Sequence, residues 1–472
     1  MSRCSVDDSL GVTPTPSHLA PESVRVSEVL AALSFALDLT EGQPMGHSLR
    51  SCLIGMELAE RLELPMQERR DLYYALMLKD VGCSSNSARV FELFGGDDRE
   101  AKRELKRVDW ANYFKAARYA MAQADPGAPW YVRARRIAHL ARQGPGVATE
   151  LVRTRCERGA AIVSRLGFGP RVAEAVRSLD EHWDGSGEPH GLEGPAIPMA
   201  SRIMGIAQTM DVFAMIHGPR AAGEIVAARR GRWFDPTLVA AAEDLELLLA
   251  GWCAMDEGLL GREAAAAEPG GAALLAGPGT LDRIAQGFAE VIDAKSPFTG
   301  EHSSRVTEIS VRLSEAVGYT PEQVTGLRRA ALLHDIGKLS VSNAILDKPD
   351  KLTEDEWDAV RMHPYYSRRI LQHVRGFEEI AHVAGCHHER IDGQGYYEGL
   401  EGSQIPLSAQ IISAADIFDA LSSERPYRPA LGPEVALAMM DRDRDRAIDG
   451  ELLDLLPRVV HGVDDTERRA AA

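Results

Sequence analysis

An adjacent histidine and aspartate, His334 and Asp335, are the residues whose chemistry organises this chain. They follow the apolar residues Leu332 and Leu333, and Lys338 comes four residues after the histidine. If an apolar helix runs into the pair, neighbouring residues project about 100° apart, so imidazole and carboxylate approach one polar centre from different directions. That geometry suits a metal ion whose second edge faces another metal ion. Alone, a His-Asp pair is more often a helix cap or a salt-bridged turn.

Further residues of metal-ligand type lie close by in the sequence. Half of the 14 histidines fall in one window, and these are His302, His334, His363, His373, His382, His387 and His388. Asp416 lies in an otherwise apolar stretch, where a carboxylate indicates a cation or a hydrogen-bond network. Each residue alone has an ordinary explanation, such as an exposed histidine pair or a solvated aspartate. Together they favour a metal centre, and imidazole and carboxylate ligands without thiolates suit iron, manganese or zinc.

Helices are the elements predicted to position these residues, because Ala, Leu, Arg and Glu dominate and β-branched runs are few. Thr320 and Thr353 each begin a capping-box sequence, which predicts two helix starts. His302 shares one helical face with three apolar residues, so its side chain is predicted to point toward the core. The loop 392–400 contains glycines that permit tight turns close to a ligand.

The two halves of the chain resemble each other. His47 stands 32 residues before the pair at 79–80, and His302 stands 32 residues before the pair at 334–335. Two matching loops follow at an offset of 208, at residues 184–198 and 392–406. Because the offset of 208 stays constant across a loop of irregular sequence, we predict a tandem duplication.

We therefore expect an all-α protein made of two tandem helical bundles. From the N terminus, the predicted parts are flexible residues 1–21, a first module at 22–252, an Ala/Gly/Pro-rich linker at 253–280 and a second module at 281–465.

The composition limits the partners and the compartment. The 472 residues include 53 Lys and Arg against 70 Asp and Glu, a net charge of −17. Phosphate neutralisation dominates the binding of long nucleic acid, so an acidic chain is a poor candidate for it. The six cysteines show no C-x-x-C spacing, which favours a reducing compartment. Without a signal-peptide pattern or an apolar run of about 18 residues, we expect a cytoplasmic protein that does not enter a membrane.

The second module resembles the HD-GYP domains, a subgroup of the HD phosphohydrolase superfamily that hydrolyses cyclic dinucleotides. The resemblance spans 281–465 and is carried, in order, by the His-Asp-x-Gly-Lys pentad at 334–338, His363-Pro364, the segment 387–406 and the segment 423–428. It implies an all-helical fold with a centre of two or three metal ions, usually iron or manganese. The metal ligands that it implies are His302, His334, Asp335, His363, His387, His388 and Asp416.

The resemblance implies a phosphodiesterase that opens cyclic di-GMP or 3′,3′-cyclic GMP-AMP by attack of a metal-activated hydroxide. Asp335 is expected to bridge two ions. Lys338 is expected one helical turn past His334 on a similar face. There it would neutralise charge on the phosphoryl oxygens or protonate the leaving 3′-oxygen. Bound ions would attract an anionic substrate despite the acidic protein around them. The expected substrate contacts are Arg425, Arg428, Tyr396 and Asp392.

Two positions depart from the family pattern. The loop reads Gly395-Tyr396-Tyr397 where family members usually have Gly-Tyr-Pro, which puts the loop geometry and the substrate choice in question. Members with three metal ions have a glutamate one turn before the first histidine, and Phe298 occupies that position here. Two divalent ions are therefore predicted.

The first module is predicted to be non-catalytic. Five residues replace the ligands of the second module, and these are Lys79, Arg155, Leu179, Asp180 and Gln208. His47 and Asp80 alone remain, and Asp80 is predicted to form a salt bridge with Lys79. We expect this module to regulate, to dock protein partners or to form a homodimer, or else only to cover the apolar flank of the second module.

The principal alternative is a catalytically inactive sensor that contains metal and changes its protein contacts when a cyclic dinucleotide binds. The complete ligand set and Lys338 favour the enzyme, since a sensor needs no pair of ions that generates a nucleophile. A phosphohydrolase acting on mononucleotides is disfavoured by the long glycine-rich loop and by the segment 425–428.

Overall fold

The computed structural model describes residues 24–105, 113–143, 146–270, 274–298, 300–425 and 428–470. Within these ranges the chain is helical, with isolated β-bridges and no strand, which confirms the predicted all-α class. No helix in the same ranges combines the length and the apolar character that a membrane span requires. The predicted flexible residues 1–21 lie outside the described part of the chain.

The first half of the chain contains helices α1 to α14. These are α1 (Val26–Thr40), α2 (His47–Arg61), α3 (Met66–Leu78), α4 (Ser87–Phe94), α5 (Asp98–Leu105), α6 (Tyr113–Gln123), α7 (Trp130–Gln143), α8 (Gly146–Arg165), α9 (Pro170–Arg177), α10 (Met199–His217), α11 (Pro219–Ala228), α12 (Pro236–Ala241), α13 (Glu246–Cys253) and α14 (Glu257–Ala266).

The second half contains helices α15 to α24. These are α15 (Pro278–Asp293), α16 (His302–Val317), α17 (Pro321–Leu333), α18 (Asn343–Leu346), α19 (Glu354–Arg361), α20 (His363–Leu371), α21 (Glu378–Cys386), α22 (Leu407–Ser422), α23 (Pro433–Met440) and α24 (Gly450–Ala470). Short 3₁₀ helices lie at Cys83–Asn86, Gly194–Ala196, Ile336–Ser340, Gly402–Gln404 and Asp441–Asp443.

The order of helices in the first half recurs in the second. Helices α2 and α3 lead into the 3₁₀ helix Cys83–Asn86, and helices α16 and α17 lead into the 3₁₀ helix Ile336–Ser340. The first half then inserts the four helices α4 to α7, where the second half has only the two helices α18 and α19. This order is consistent with the predicted tandem organisation.

The local sequence explains where the site-bearing helices begin and end. Both predicted capping boxes are present, at Thr320 before α17 and at Thr353 before α19. Gly318 ends α16 with a φ of 95°, a left-handed conformation that glycine adopts without a steric penalty. His302 is 1% exposed and lies on the buried face of α16, as its spacing predicted.

The two halves share one hydrophobic core. Helix α1 packs against α2, α3 and α14, and also against α20 and the 3₁₀ helix Ile336–Ser340 of the second half. Helix α14 lies inside the segment predicted as a linker, and its Leu260 and Ala264 are buried. That part of the segment is therefore packed against the first module, while the predicted domain boundaries stay a prediction.

Candidate metal centre

Five helices and the residues that follow them bring the seven predicted metal ligands together. His302 is the first residue of α16, His334 is the residue after α17, His363 begins α20, His387 and His388 follow α21, and Asp416 lies within α22. Gly337 permits the close approach of two of these elements, because a Cβ atom there would lie 2.0 Å from the carbonyl oxygen of His363.

One group of ligand atoms gathers around one oxygen of Asp335. The Nε2 atoms of His302 and His334 lie 3.4 and 3.3 Å from Asp335 Oδ2. His302 Nε2 also lies 3.3 Å from Oδ1 of Asp416. Ligand atoms of His302, His334 and Asp335 all lie within 4.8 Å of one another, a spacing that one metal ion can span.

A second group faces the other oxygen of the same carboxylate. His363 Nε2 lies 3.3 Å and His387 Nε2 lies 3.7 Å from Asp335 Oδ1. His363, His387 and His388 also offer ligand atoms within 4.8 Å of one another. The two oxygens of Asp335 therefore face two different groups of histidines.

Hydrogen bonds on the far side of each ring fix how the imidazoles point. His334, His363 and His387 donate from Nδ1 to backbone carbonyl oxygens, at distances of 2.6, 2.7 and 2.7 Å. A carbonyl only accepts, so Nδ1 carries the proton and the Nε2 lone pair faces the centre. In the described part of the chain, Nε2 of His302 and His334 and Oδ1 of Asp335 are buried without a hydrogen-bond partner. Such atoms fit a bound cation, which would satisfy them.

The protonation of the histidines agrees with a role as ligands. Burial lowers the pKa of His363 and His388, and it lowers the pKa of His387 to about 4. These rings are therefore neutral at pH 7, as metal binding requires. Burial also acts to lower the pKa of His302, but the adjacent carboxylates of Asp335 and Asp419 raise it to about 9. A cation bound at this group would take the place of that proton.

Lys338 reaches the centre from the 3₁₀ helix Ile336–Ser340. Its Nζ lies 2.5 Å from Asp335 Oδ2, and its side chain is 20% exposed. The sequence placed Lys338 one α-helical turn beyond His334, which is wrong because α17 ends at Leu333. The tighter 3₁₀ turn aims the ammonium group at Asp335, where it faces both the buried carboxylate and solvent.

The four predicted substrate contacts separate into two groups. The ring of Tyr396 lies 4.9 Å from the ring of His388, so this residue adjoins the centre. Asp392 instead accepts hydrogen bonds from Arg390, at 3.0 and 2.8 Å, which ties its carboxylate to the loop.

The guanidinium group of Arg428 donates to backbone carbonyl oxygens, among them Leu421 O at 2.8 Å and Pro429 O at 3.1 Å. The backbone of Arg425 pairs with that of Arg428 in a β-bridge. The donors of Arg428 therefore hold the segment that follows α22, which leaves them engaged within the protein.

Two residues on the Nδ1 side of His302, Asp419 and Arg305, were not predicted from the sequence. Asp419 Oδ2 accepts a hydrogen bond of 2.7 Å from His302 Nδ1, and Arg305 donates to Asp419 Oδ1 at 2.5 Å. Burial raises the pKa of Asp419, but His302 and Arg305 lower it below its usual value, so it stays ionised. Asp419 thus orients the imidazole and increases its basicity.

The first module repeats this arrangement, and the repeat was the signal that could have revealed it. His47 Nδ1 lies 2.6 Å from Asp211 Oδ2, and Arg50 donates to Asp211 Oδ1 at 2.5 Å. His47 and Arg50 precede their counterparts by 255 residues, and Asp211 precedes Asp419 by 208, which are the offsets of the duplication.

Salt bridges occupy the corresponding centre of the first module. Lys79 contacts Asp80, both fully buried, as the sequence predicted. Arg155 contacts Asp180, so this ion pair stands at the positions of His363 and His388. Burial acts to lower the pKa of Arg155, but nearby groups, Glu41 and Asp80 among them, raise it above its ordinary value.

One grouping in the first module was not predicted. Glu41, Asp80 and Cys83 offer ligand atoms within 4.8 Å of one another. The Arg155 guanidinium and the Lys79 ammonium lie next to these groups and already supply positive charge. The first module therefore balances its buried carboxylates with side-chain cations.

A family model described as "HD domain" matches residues 139–238 and 287–452, which is more than half of the 472 residues. The chain belongs to the HD domain family. The match in both halves agrees with a tandem of HD domains, and the superfamily predicted from the sequence is confirmed.

This HD-domain chain is similar to several named phosphodiesterases. It is 42% identical over 450 residues to "3′3′-cGAMP-specific phosphodiesterase 3" of Vibrio cholerae, covering 95% of this chain and 97% of the relative. It is 38% identical to a "Cyclic di-GMP phosphodiesterase response regulator" of Xanthomonas campestris over 38% of this chain and 47% of the relative. A crystal structure of a cyclic GMP-AMP specific phosphodiesterase of V. cholerae matches 93% of this chain and 98% of its own, with a TM-score of 0.65 and 38% identity.

Proposed function

We propose that this chain is a metal-dependent phosphodiesterase that hydrolyses a cyclic dinucleotide, and that its second HD module carries out the reaction. The observation that carries the proposal is the position of Asp335, whose two oxygens face two separate groups of histidines. A carboxylate so placed is suited to bridge two cations. The similarity over almost the whole chain to a phosphodiesterase of this kind supports the proposal.

The proposed ligands of two divalent ions, iron or manganese, are His302, His334, Asp335, His363, His387, His388 and Asp416. Their imidazole and carboxylate atoms suit these metals. Ions bound there would supply Lewis acidity and would lower the pKa of bound water, the chemistry that yields a nucleophile at neutral pH. The first module is proposed to bind no catalytic metal, since Lys79 and Arg155 neutralise its carboxylates.

The protein's own side chains have distinct proposed tasks. Asp419 holds His302 in position, and the backbone carbonyls behind His334, His363 and His387 hold those rings. The partly exposed ammonium group of Lys338 stabilises negative charge that develops on the phosphoryl oxygens. Tyr396, beside His388, is the proposed substrate contact, whereas Asp392 maintains the shape of the loop.

The preferred substrate proposed here is 3′,3′-cyclic GMP-AMP, with cyclic di-GMP as the second candidate. The relative that matches almost the full chain is named for cyclic GMP-AMP, and a relative that matches a smaller part is named for cyclic di-GMP. Both substrates carry two phosphodiesters, which a cluster of cations would attract.

The test is a comparison of the parent protein with a His334→Ala, Asp335→Ala double variant. Reduced protein loaded with iron or manganese is incubated with each dinucleotide, and products are separated by chromatography. We expect the parent to open the ring, and the double variant to be slower by roughly a thousandfold or more, since it lacks a ligand of each proposed ion. Tight binding by the parent without turnover would instead favour the sensor, and neither binding nor turnover would refute both functions.

A further inference from the structure

Helix α5 of the first module places one acidic side chain inside the second module. Asp98, the first residue of α5, is fully buried. Its Oδ1 accepts hydrogen bonds from the backbone N–H of Asn343 at 2.8 Å and from Ser342 Oγ at 3.1 Å. Its Oδ2 accepts one from Lys295 Nζ at 3.0 Å. A single carboxylate therefore binds two separate segments of the second module.

Those two segments flank the metal centre. Lys295 lies seven residues before His302, and Asn343 lies five residues after Lys338. The Nδ2 atom of Asn343 donates to the carbonyl oxygen of Lys295 at 2.7 Å, so the two segments also contact each other. Asp98 therefore connects Lys295, which precedes α16, to Asn343, which follows the pentad 334–338.

Two residues of α5 extend the connection to the 3₁₀ helices Ile336–Ser340 and Cys83–Asn86, which are equivalent in the two modules. The guanidinium group of Arg99 donates to the carbonyl oxygen of Ser340, the last residue of the 3₁₀ helix that carries Lys338. Lys102 donates to the carbonyl oxygen of Cys83 at 2.7 Å, at the start of the corresponding helix of the first module. Helix α5 thus joins the two equivalent helices of the tandem.

The charges of this network depend on one another. Burial raises the pKa of Asp98, but Lys295 and Lys102 lower it below its ordinary value, so the carboxylate is ionised. Lys295 is also buried, at 1% exposure. A buried pair of this kind contributes little net stability compared with apolar packing, yet the loss of one partner leaves an uncompensated charge. The network is therefore better explained by a need for a fixed geometry than by stability alone.

We propose that Asp98 is a positioning residue for the metal centre of the second module, and that the first module is thereby a structural part of the catalytic unit. The inference rests on the proposed function. Asp98 touches neither the seven ligands nor Lys338, and it acts by holding Lys295 and the segment 342–343. A small displacement of these segments would move His302 and Lys338 relative to each other, and misplacements of about 1 Å can cost roughly a hundredfold in rate.

The test uses the full chain with Asp98→Asn, and with Asp98→Asn combined with Lys295→Met. The double variant leaves no unpaired lysine at position 295, so it separates positioning from a general loss of stability. The control is Glu100→Gln, which removes one charge from an exposed position of the same helix. Turnover of 3′,3′-cyclic GMP-AMP, metal content, thermal unfolding and hydrogen exchange of peptides covering 336–343 are measured for each.

We expect Asp98→Asn to lower kcat at least about tenfold while KM stays within about threefold, and to speed exchange in 336–343. The double variant should regain the unfolding temperature of the parent but not its kcat, and Glu100→Gln should behave as the parent. Full recovery of kcat in the double variant would overturn the inference, since Asp98 would then serve only to neutralise Lys295.

The outcomes also distinguish this inference from the proposed function. If the parent hydrolyses the dinucleotide while Asp98→Asn matches it within about twofold and exchange is unchanged, the inference alone is refuted. If the parent shows no hydrolysis, the proposed function fails, and exchange in 336–343 decides the positioning role independently. Unchanged exchange in Asp98→Asn would refute that role in this case too.

Discussion

Replacing His302 with glutamine is expected to lower turnover of the cyclic dinucleotide by roughly a thousandfold, and replacing His47 with glutamine is expected to leave turnover almost unchanged. The two histidines begin equivalent helices, are both buried and each hydrogen-bond an aspartate through Nδ1, at 2.7 and 2.6 Å. Both substitutions therefore remove the same kind of internal hydrogen bond. Only His302 directs its Nε2 toward Asp335 and Asp416, at 3.4 and 3.3 Å.

Because the two modules repeat the same arrangement, His47→Gln is a closely matched control for His302→Gln. Both variants should lose similar stability, since each loses one buried hydrogen bond to a carboxylate, about 1.5–3 kcal/mol. The measurements are kcat, KM and metal content after anaerobic purification, together with thermal unfolding of both variants. The His302→Gln protein should contain fewer ions than the parent, and the His47→Gln protein should contain as many. Equal losses of activity in the two variants would contradict the assignment of the centre to the second module.

Replacing Lys338 with methionine is expected to lower kcat about a hundred- to a thousandfold, the typical cost of removing one group that stabilises charge in the transition state. Methionine keeps much of the length of the side chain but removes the ammonium group, which lies 2.5 Å from Asp335 Oδ2. The seven proposed ligands are untouched, so the metal content should be retained. KM should change far less than kcat, because the lost interaction strengthens as charge develops during the reaction.

The matched control for this change is Lys351→Met, which removes the same charge from an exposed position on the same module. It should retain the activity of the parent within about twofold, since surface charges act weakly at a distance. Steady-state kinetics and metal analysis on the same preparations provide the comparison. If Lys338→Met loses its metal, the ammonium group contributes to assembly of the centre. If it retains both metal and activity, Lys338 has no role in the reaction.

The sequence predicted most of the second module because its signals are local. Capping boxes at Thr320 and Thr353 and the apolar face of α16 are visible within one or two helical turns. The resemblance to a known family then identified the seven ligand positions. Local sequence patterns alone do not show that these residues belong to one site. Lys338 was placed on the wrong type of helix because the change from α to 3₁₀ depends on how closely Gly337 approaches α20.

Other features depend on contacts between distant parts of the chain. Nothing in the local sequence of Asp98 marks it as a buried residue in contact with Asn343, 245 positions away. Arg428 was expected to contact the substrate, but its guanidinium group donates instead to the carbonyl oxygen of Leu421 in α22, a contact that the sequence alone did not indicate. Asp419 was predictable in principle, since Asp211 keeps the same offset of 208 in the first module.

The first module shows how a metal centre can be replaced by side-chain charge. Lys79 stands where the second module has His334, and Arg155 stands where it has His363. Each cation contacts an aspartate, and these ion pairs are largely or fully buried. The fold around the pairs keeps the hydrogen bond between His47 and Asp211, which indicates that this part of the arrangement also serves the helical framework.

Two divalent ions are proposed to bind in the second module and none in the first. Anomalous diffraction from crystals of anaerobically purified protein, recorded at the iron and manganese edges, locates such ions directly. We expect two peaks per chain, one beside His302 and His334 and one beside His363, His387 and His388, with Asp335 between them. Peaks beside Glu41, Asp80 and Cys83, a third fully occupied site, or no peak near Asp335 would contradict the claim.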